Sequence, residues 1–293
     1  MGFRTVIVNS HSKLEYSLNF LIFKTAETTK KIFLDEINVL IIQSTAVSIT
    51  SSLLCELTKR NIAIIFCDEK HNPISQFLPL SNSYNSYKKI LEQISWKQEI
   101  VDNVWSYIIK KKIRNQARTL SYRNKEEQFK QLMTYADEVL IGDSTNREGH
   151  AAKVYFNNIY GRDFTRNSDD IINAYLNYGY TVILSLINRT IASYGYLTQL
   201  GIHHRGETNP YNLSSDLIEP LRYIVDEEVF EIKDDSISFK DKMTNLINKE
   251  FLICGKKQTL SNAIPIYFLS FIDAINNNDP TKIKFIEKVD DDR

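Results

Sequence analysis

Ile100-Val-Asp-Asn-Val104-Trp-Ser-Tyr-Ile108 returns an apolar side chain at every fourth residue, which lines one face of an α-helix and cannot line a strand. The same spacing extends outward from this stretch. Upstream it runs through Ile90, Leu91 and Ile94, and downstream through Leu132, Ala136 and Leu140. Residues 169–195 and 260–276 repeat it, and no proline stands between Pro79 and Pro210 to break a helix. A helical domain over residues 85–285 is expected. Before it the texture differs. Phe3 to Val8 alternates weakly, Leu14, Tyr16, Leu18 and Phe20 fall at period two, and Ile32, Leu34 and Ile37 to Ile42 follow as strand-like runs. A helix is expected from Val47 to Arg60, with Leu53, Leu54 and Leu57 on one face. A buried strand follows at Asn61-Ile-Ala-Ile-Ile-Phe66. Turn-forming stretches at His71-Asn-Pro-Ile and Pro79-Leu-Ser-Asn-Ser close the region. The fold class is α+β: a small N-terminal β domain over 1–78, then a larger all-α domain over 85–285. The charged tail, 286–293, is expected to fray.

Composition narrows the function classes. Of 293 residues 43% are hydrophobic and 25% charged, which suits a folded chain and not a disordered one. Cys55, Cys67 and Cys254 are far apart and flanked by apolar residues, and so read as buried free thiols in a reducing compartment. The longest apolar runs, such as Ile62 to Cys67, are too short to span a bilayer, and a cytoplasmic protein is expected. Lys plus Arg equals Asp plus Glu at 36 each, yet the charges separate along the chain. Lys110, Lys111, Lys112, Arg114, Arg118 and Arg123 crowd one stretch, and Asp226, Glu227, Glu228, Glu231, Asp234 and Asp235 another, so both are expected on a strongly polar surface.

Three places in the helical part concentrate groups able to bind a metal or move a proton. Asn146-Arg-Glu-Gly-His150 opens a helix whose alanines and Tyr155 would face inward, with Glu148 projecting from the first turn. Taken alone, Glu148 reads as a helix-start carboxylate complementing the helix dipole. Gly201-Ile-His203-His204-Arg-Gly is a loop, in which one imidazole could simply be bonded to backbone. Ser214-Ser215-Asp216-Leu-Ile-Glu219 sets two carboxylates three apart on a helix face, although its first three residues are also good helix caps. One imidazole with two or three carboxylates suits Mg²⁺ or Mn²⁺ better than Zn²⁺. Such an ion would polarise a phosphodiester and favour ionisation of an attacking hydroxyl.

These elements resemble the CRISPR-associated spacer-acquisition integrases, the Cas one family. Glu148 heading an Ala-Ala…Tyr helix is similar to the family's first metal-ligand motif. Asn177-Tyr-Gly-Tyr…Gly195…Gly201-Ile-His-His204…Asn212-Leu-Ser-Ser-Asp216-Leu-Ile-Glu219-Pro-Leu-Arg222 is similar to the second and third. The resemblance covers essentially the whole chain. It implies Glu148, His204 and Glu219 as catalytic metal ligands, with Asp216 and His203 beside them. Many relatives have proline where this chain has Thr198 and aspartate where it has Glu219, and both variants resemble the type II-A branch.

The resemblance implies a metal-dependent DNA integrase and endonuclease that joins prespacer 3′-OH ends to the leader-proximal repeat by transesterification. The implied partners are double-stranded DNA, a second copy of the chain, the Cas two protein in a four-to-two complex and, within type II-A, Cas nine and a ring-shaped accessory protein. Lys111, Arg114 and Arg118 share a helix face able to track phosphates, and Arg147, Arg162, Arg166, Arg189 and Arg205 are further DNA-binding candidates. Two other readings stay open. One is a plain metal-dependent nuclease, and the other a non-catalytic nucleic-acid-binding assembly protein in which the carboxylates only cap helices.

Overall fold

β2 (Ser12–Ser17) and β3 (Phe20–Lys24) form a hairpin across Leu18 and Asn19, whose φ values of 48° and 65° make a left-handed two-residue turn. The period-two run from Leu14 to Phe20 is therefore two strands, and Leu18 at the turn is 85% exposed. β4 (Thr29–Phe33) extends this sheet on one side, and β6 (Val47–Ile49) pairs parallel with β2 on the other. The helix expected from Val47 starts later. Val and Ile are stiff at χ1 and suit the strand, and Thr50 accepts the Leu53 N–H to begin α1 at Ser51–Lys59. The computed structural model describes residues 4–69, 73–78, 85–232 and 236–289, with side chains of 236–238, 240 and 241 left aside. The turn readings at residues 71–72 and 79–83 lie outside the described residues.

A second sheet links the two parts of the molecule. β5 (Ile37–Ile42) lies between β1 (Arg4–Val8) and β7 (Ala63–Cys67), all parallel, with β8 (Pro73–Phe77) antiparallel at the edge. All six β5 residues are buried, as a strand covered on both faces requires. Leu40, Ile42 and Ile64 pack with Leu14, Leu21 and Leu57 in the small β core. Val39, Ile41, Ile65 and Cys67 face the other way, into the main helical core.

The expected order, a β region and then a larger helical one, is the order found. α2 (Ser86–Ile94), α3 (Gln98–Ser121), α4 (Glu126–Asp137), α5 (Arg147–Tyr160) and α6 (Ile171–Ser193) follow in sequence. After them come α7 (Asn212–Ile218), α8 (Arg222–Phe230), α9 (Ser236–Asn245) and α10 (Leu260–Asn276). α3 packs against α4, α5 and α8, and α6 against α7, α8, α9 and α10. One small sheet is set among them: β9 (Glu250–Ile253) between β10 (Lys256–Thr259) and β11 (Glu287–Lys288). The tail expected to fray from residue 286 is thus tied at its start, because Glu287 and Lys288 pair with Leu252 and Phe251. Residues 290–293 lie outside the described residues. Two further expectations are corrected. Cys67 is buried, but Cys55 and Cys254 are exposed. The acidic stretch is not all surface: Asp226 and Glu227 are buried, while residues 234 and 235 lie outside the described residues.

Candidate active site

Val104, Ile108 and Lys112 fall at four-residue spacing on the buried stripe of α3, so an ammonium group interrupts the stripe's apolar pattern. A lysine is rarely buried without a partner. Lys112 has two, with Nζ 2.5 Å from Glu148 Oε1 and 2.5 Å from Glu219 Oε2. Glu148 stands in the first turn of α5, but that helix end is satisfied by other groups. Asp143 accepts the N–H groups of Arg147 and Glu148 at 2.8 and 3.0 Å, and Asn146, left-handed at φ 53°, accepts that of Gly149. The Glu148 carboxylate is therefore not needed as a cap and turns to Lys112. Glu219 opens a 3-10 turn, Glu219–Leu221, between α7 and α8. Its second oxygen accepts Arg222 Nε and Nη2 at 2.9 and 2.8 Å. Asn115, one turn beyond Lys112, donates to the Pro220 carbonyl at 2.8 Å and locks α3 against this turn.

Burial alone would raise the Glu219 pKa, but the charges of Arg222 and Lys112 outweigh it and hold the carboxyl well below the usual range. Burial likewise opposes the Lys112 charge, and Glu219 and Glu148 more than restore it. Removing one partner from so buried a set costs about 3–5 kcal/mol in comparable systems.

His204 is held from a different direction. Asp216 is fully buried within α7, so it does not cap that helix, which begins four residues earlier. Its carboxylate accepts the backbone N–H groups of Ile202, His203 and His204 at 2.7, 3.2 and 3.0 Å. The same group lies 2.6 Å from His204 Nδ1. That contact raises the imidazole pKa most; burial opposes it, and the charges of Asp216, Glu219 and Glu148 add to it. Gly201 is required by the close approach: a Cβ there would meet the His204 carbonyl at 2.4 Å and Asp216 Oδ2 at 2.7 Å. With Nδ1 engaged by Asp216, Nε2 is the ring nitrogen left to bind, the arrangement that orients a metal-ligating histidine. His204 also lines a pocket of about 650 Å³ with Trp96, Gln98, Arg205 and Asn212.

The remaining sequence candidates divide. His203 stacks on Trp105, ring centroids 4.1 Å apart, and serves packing. Arg147 pairs with Glu138 at 2.9 Å and lies over the Tyr135 ring. Arg166 bonds Asn173 and Asn177, and Arg205 is exposed and donates to Gln98 at 2.5 Å. Arg189 is corrected as a DNA-binding candidate. It is buried and donates to Asn38 and the Asn61 carbonyl, joining α6 to the parallel sheet, and its burial lowers its pKa to about 10. Lys111, Arg114 and Arg118 do share one face and line a groove of about 610 Å³ with Tyr107 and Phe285. Two of them are already paired, Lys111 with Glu287 and Arg114 with Asp137. Sequence reasoning missed Lys112, which it placed with the surface lysines. The signal was its position four residues after Ile108 on an otherwise apolar face.

A divalent ion fits this donor set in kind. Two carboxylates already share one cation, and a carboxylate-oriented imidazole stands within electrostatic reach of both. Among the described residues, however, no three His, Cys, Asp or Glu groups converge as ligands of one ion. The point between the carboxylates is held by Lys112.

The family model described as "CRISPR associated protein Cas1" matches residues 5–251. A CRISPR-associated endonuclease Cas1 of Neisseria meningitidis serogroup C is 34% identical over 232 residues, 79% of this chain and 76% of that protein. Among solved structures, a casposase bound to integration product superposes with a TM-score of 0.73 at 20% identity, covering 98% of this chain and 96% of that one. A Cas6-RT-Cas1–Cas2 complex gives 0.74 at 17% identity over 98% of this chain and 36% of that one. At such identities these two likenesses speak for the fold.

Proposed function

The chain belongs to the CRISPR-associated protein Cas1 family, and from that premise we propose that it is a metal-dependent DNA integrase whose ion is held by Glu148, His204 and Glu219. It joins the 3′-OH ends of a prespacer to the leader-proximal repeat. One observation carries this reading. Carboxylates from α5 and from the turn before α8 share a single cation at a buried point. Separately, a third carboxylate, Asp216, fixes the His204 imidazole. Helix-capping carboxylates would have no reason to converge in this way, which speaks against the non-catalytic reading.

Mg²⁺ or Mn²⁺ bound here would polarise the scissile phosphate and lower the pKa of the attacking hydroxyl. The chain's own residues prepare that chemistry. Arg222 keeps Glu219 ionised and fixed from its far side. Asp216 sets the tautomer of His204 and holds the loop that carries it. Asp143 and Asn146 satisfy the α5 end and leave Glu148 free to reach inward. Arg205, exposed and lining the pocket, is the proposed partner for a phosphate there.

Likeness in fold to a casposase bound to integration product supports strand joining, and likeness to a Cas6-RT-Cas1–Cas2 complex supports a Cas two partner. We assign the chain to a homodimer that assembles four-to-two with that partner. Within the type II-A branch it would act with Cas nine and a ring-shaped accessory protein. Hydrolytic cleavage is the second reading, favoured by the endonuclease name of the Neisseria relative.

The test incubates the chain with its Cas two partner, Mn²⁺, a short duplex with free 3′ ends and a repeat-bearing plasmid. Covalent joining is expected, and Glu219→Ala should reduce it by more than about a hundredfold while duplex binding persists. Shortened duplex without joining would favour the plain nuclease. Joining by the variant at the wild-type rate would refute the site.

A further inference from the structure

Lys112 stands between the two carboxylates proposed above as metal ligands, and it is built into that place. Its side chain is 10% exposed. Asn115 on the same helix is bonded to Pro220, the residue after Glu219, so the ammonium is delivered by two elements packed together and not by a loose tail. Its partners are not equally dependent on it. Glu219 keeps Arg222 on its other oxygen. Glu148 reaches across from α5, and Lys112 is its cation. Without a positive charge between them, two carboxylates aimed at one buried point would repel each other, and Glu148 would be left without a counter-charge.

We propose that Lys112 is the resident cation of this carboxylate pair, holding Glu148 and Glu219 in place until a divalent ion displaces its ammonium. The proposal rests on the reading of these two residues as metal ligands. The two cations compete for the same oxygens, at 2.5 Å for the ammonium and about 2.0–2.6 Å for Mg²⁺ or Ca²⁺-sized ions. A site built in this way is assembled before loading, and the metal inherits ligands already ionised and aligned. Its affinity for metal is lower in exchange, because the ammonium must leave.

The test measures metal binding and stability, not integration. Mn²⁺ is titrated calorimetrically into the wild-type chain, Lys112→Met and Lys112→Gln, and each protein is melted in chelator and in saturating Mn²⁺. Methionine keeps most of the length without the charge, and glutamine keeps a donor without it. Both variants should melt below wild type in chelator, bind Mn²⁺ about tenfold or more tightly than wild type, and gain more from Mn²⁺ on melting. In ¹⁵N-lysine-labelled wild type, the Lys112 ammonium resonance should move when Mg²⁺ saturates the site, a readout that survives if neither variant folds. Wild-type uptake of Mn²⁺ with unchanged or weaker binding by the folded variants, or an unmoved ammonium resonance, overturns the proposal and leaves the metal site standing. A wild-type chain that takes up no Mn²⁺ overturns both.

Discussion

Asp226 lies fully buried in α8, one turn after Arg222, with the Tyr180 hydroxyl donating to Oδ1 and the Tyr160 hydroxyl to its backbone carbonyl. Arg222 and Arg166 face it from α8 and from the segment before α6. Burial pushes its carboxyl up from an ordinary value of 3.8 to about 6, although Tyr180 and both arginines pull the other way. A raised folded pKa means that the native state holds the proton more tightly than the unfolded chain does. The stability gained from it is complete below about pH 3.8 and is lost as pH rises through about 6. Asp226→Asn stays neutral throughout and should remove that dependence. At pH 7 it should gain up to about 3 kcal/mol over wild type, and near pH 4 almost nothing. Thermal melts at the two values check this. A variant as pH-sensitive as wild type, or less stable at pH 7, would show that the Asp226 charge is compensated in the native state. Lys112 shows the same physics with the opposite outcome, since there the counter-charges overcome burial.

α3 carries two proposed roles on two faces. One face is buried along the helix and carries Lys112, and the other shows Lys111, Arg114 and Arg118 to the groove beside Phe285. As a proposed track for DNA phosphates, that face is partly spent on its own molecule. Glu287 on the small sheet holds Lys111, and Asp137 at the end of α4 holds Arg114. Replacing all three with alanine should weaken binding to any duplex alike and lower the slope of log affinity against log salt by ~0.9 for each phosphate no longer neutralised. Because two of the cations are half-neutralised within the chain, the total should fall short of the value for three free cations. Base preference at the repeat should survive. Equal affinity and slope in the triple variant would leave these residues as a solvated face with internal ion pairs.

At the scale of the molecule, the parallel sheet is the joint. Its β5 strand serves both cores, and Arg189 and Gln43 bind it to α6 through Asn38, Asn61 and Tyr178. Its outer strand β8 leaves Ile74 and Phe77 exposed, at 67% and 41%. An exposed apolar edge strand invites pairing with another chain. The proposed homodimer through the β region predicts about twice the monomer mass in sedimentation at micromolar concentration. A clean monomer there would count against it. Among the described residues no helix is long and apolar enough to cross a membrane.

Periodicity and composition are local properties, and the sequence by itself determined what depends on them. The change from period two to period four near residue 80 placed a β region before a helical one. Glycine beside two histidines marked the His204 loop, and Asp216 and Glu219 stood out by chemistry alone. Accessibility and pairing are not local, and the tertiary structure decided them. Lys112 reads as one of three consecutive surface lysines until α5 and the Glu219 turn, 36 and 107 residues away, close over it. Arg189 reads as a phosphate ligand until the parallel sheet covers it. Glu287 reads as tail until it finds β9. In each case distant residues supply the partners of a charged group; the local pattern can hint that Lys112 is buried, but it does not name the residues that pair with it.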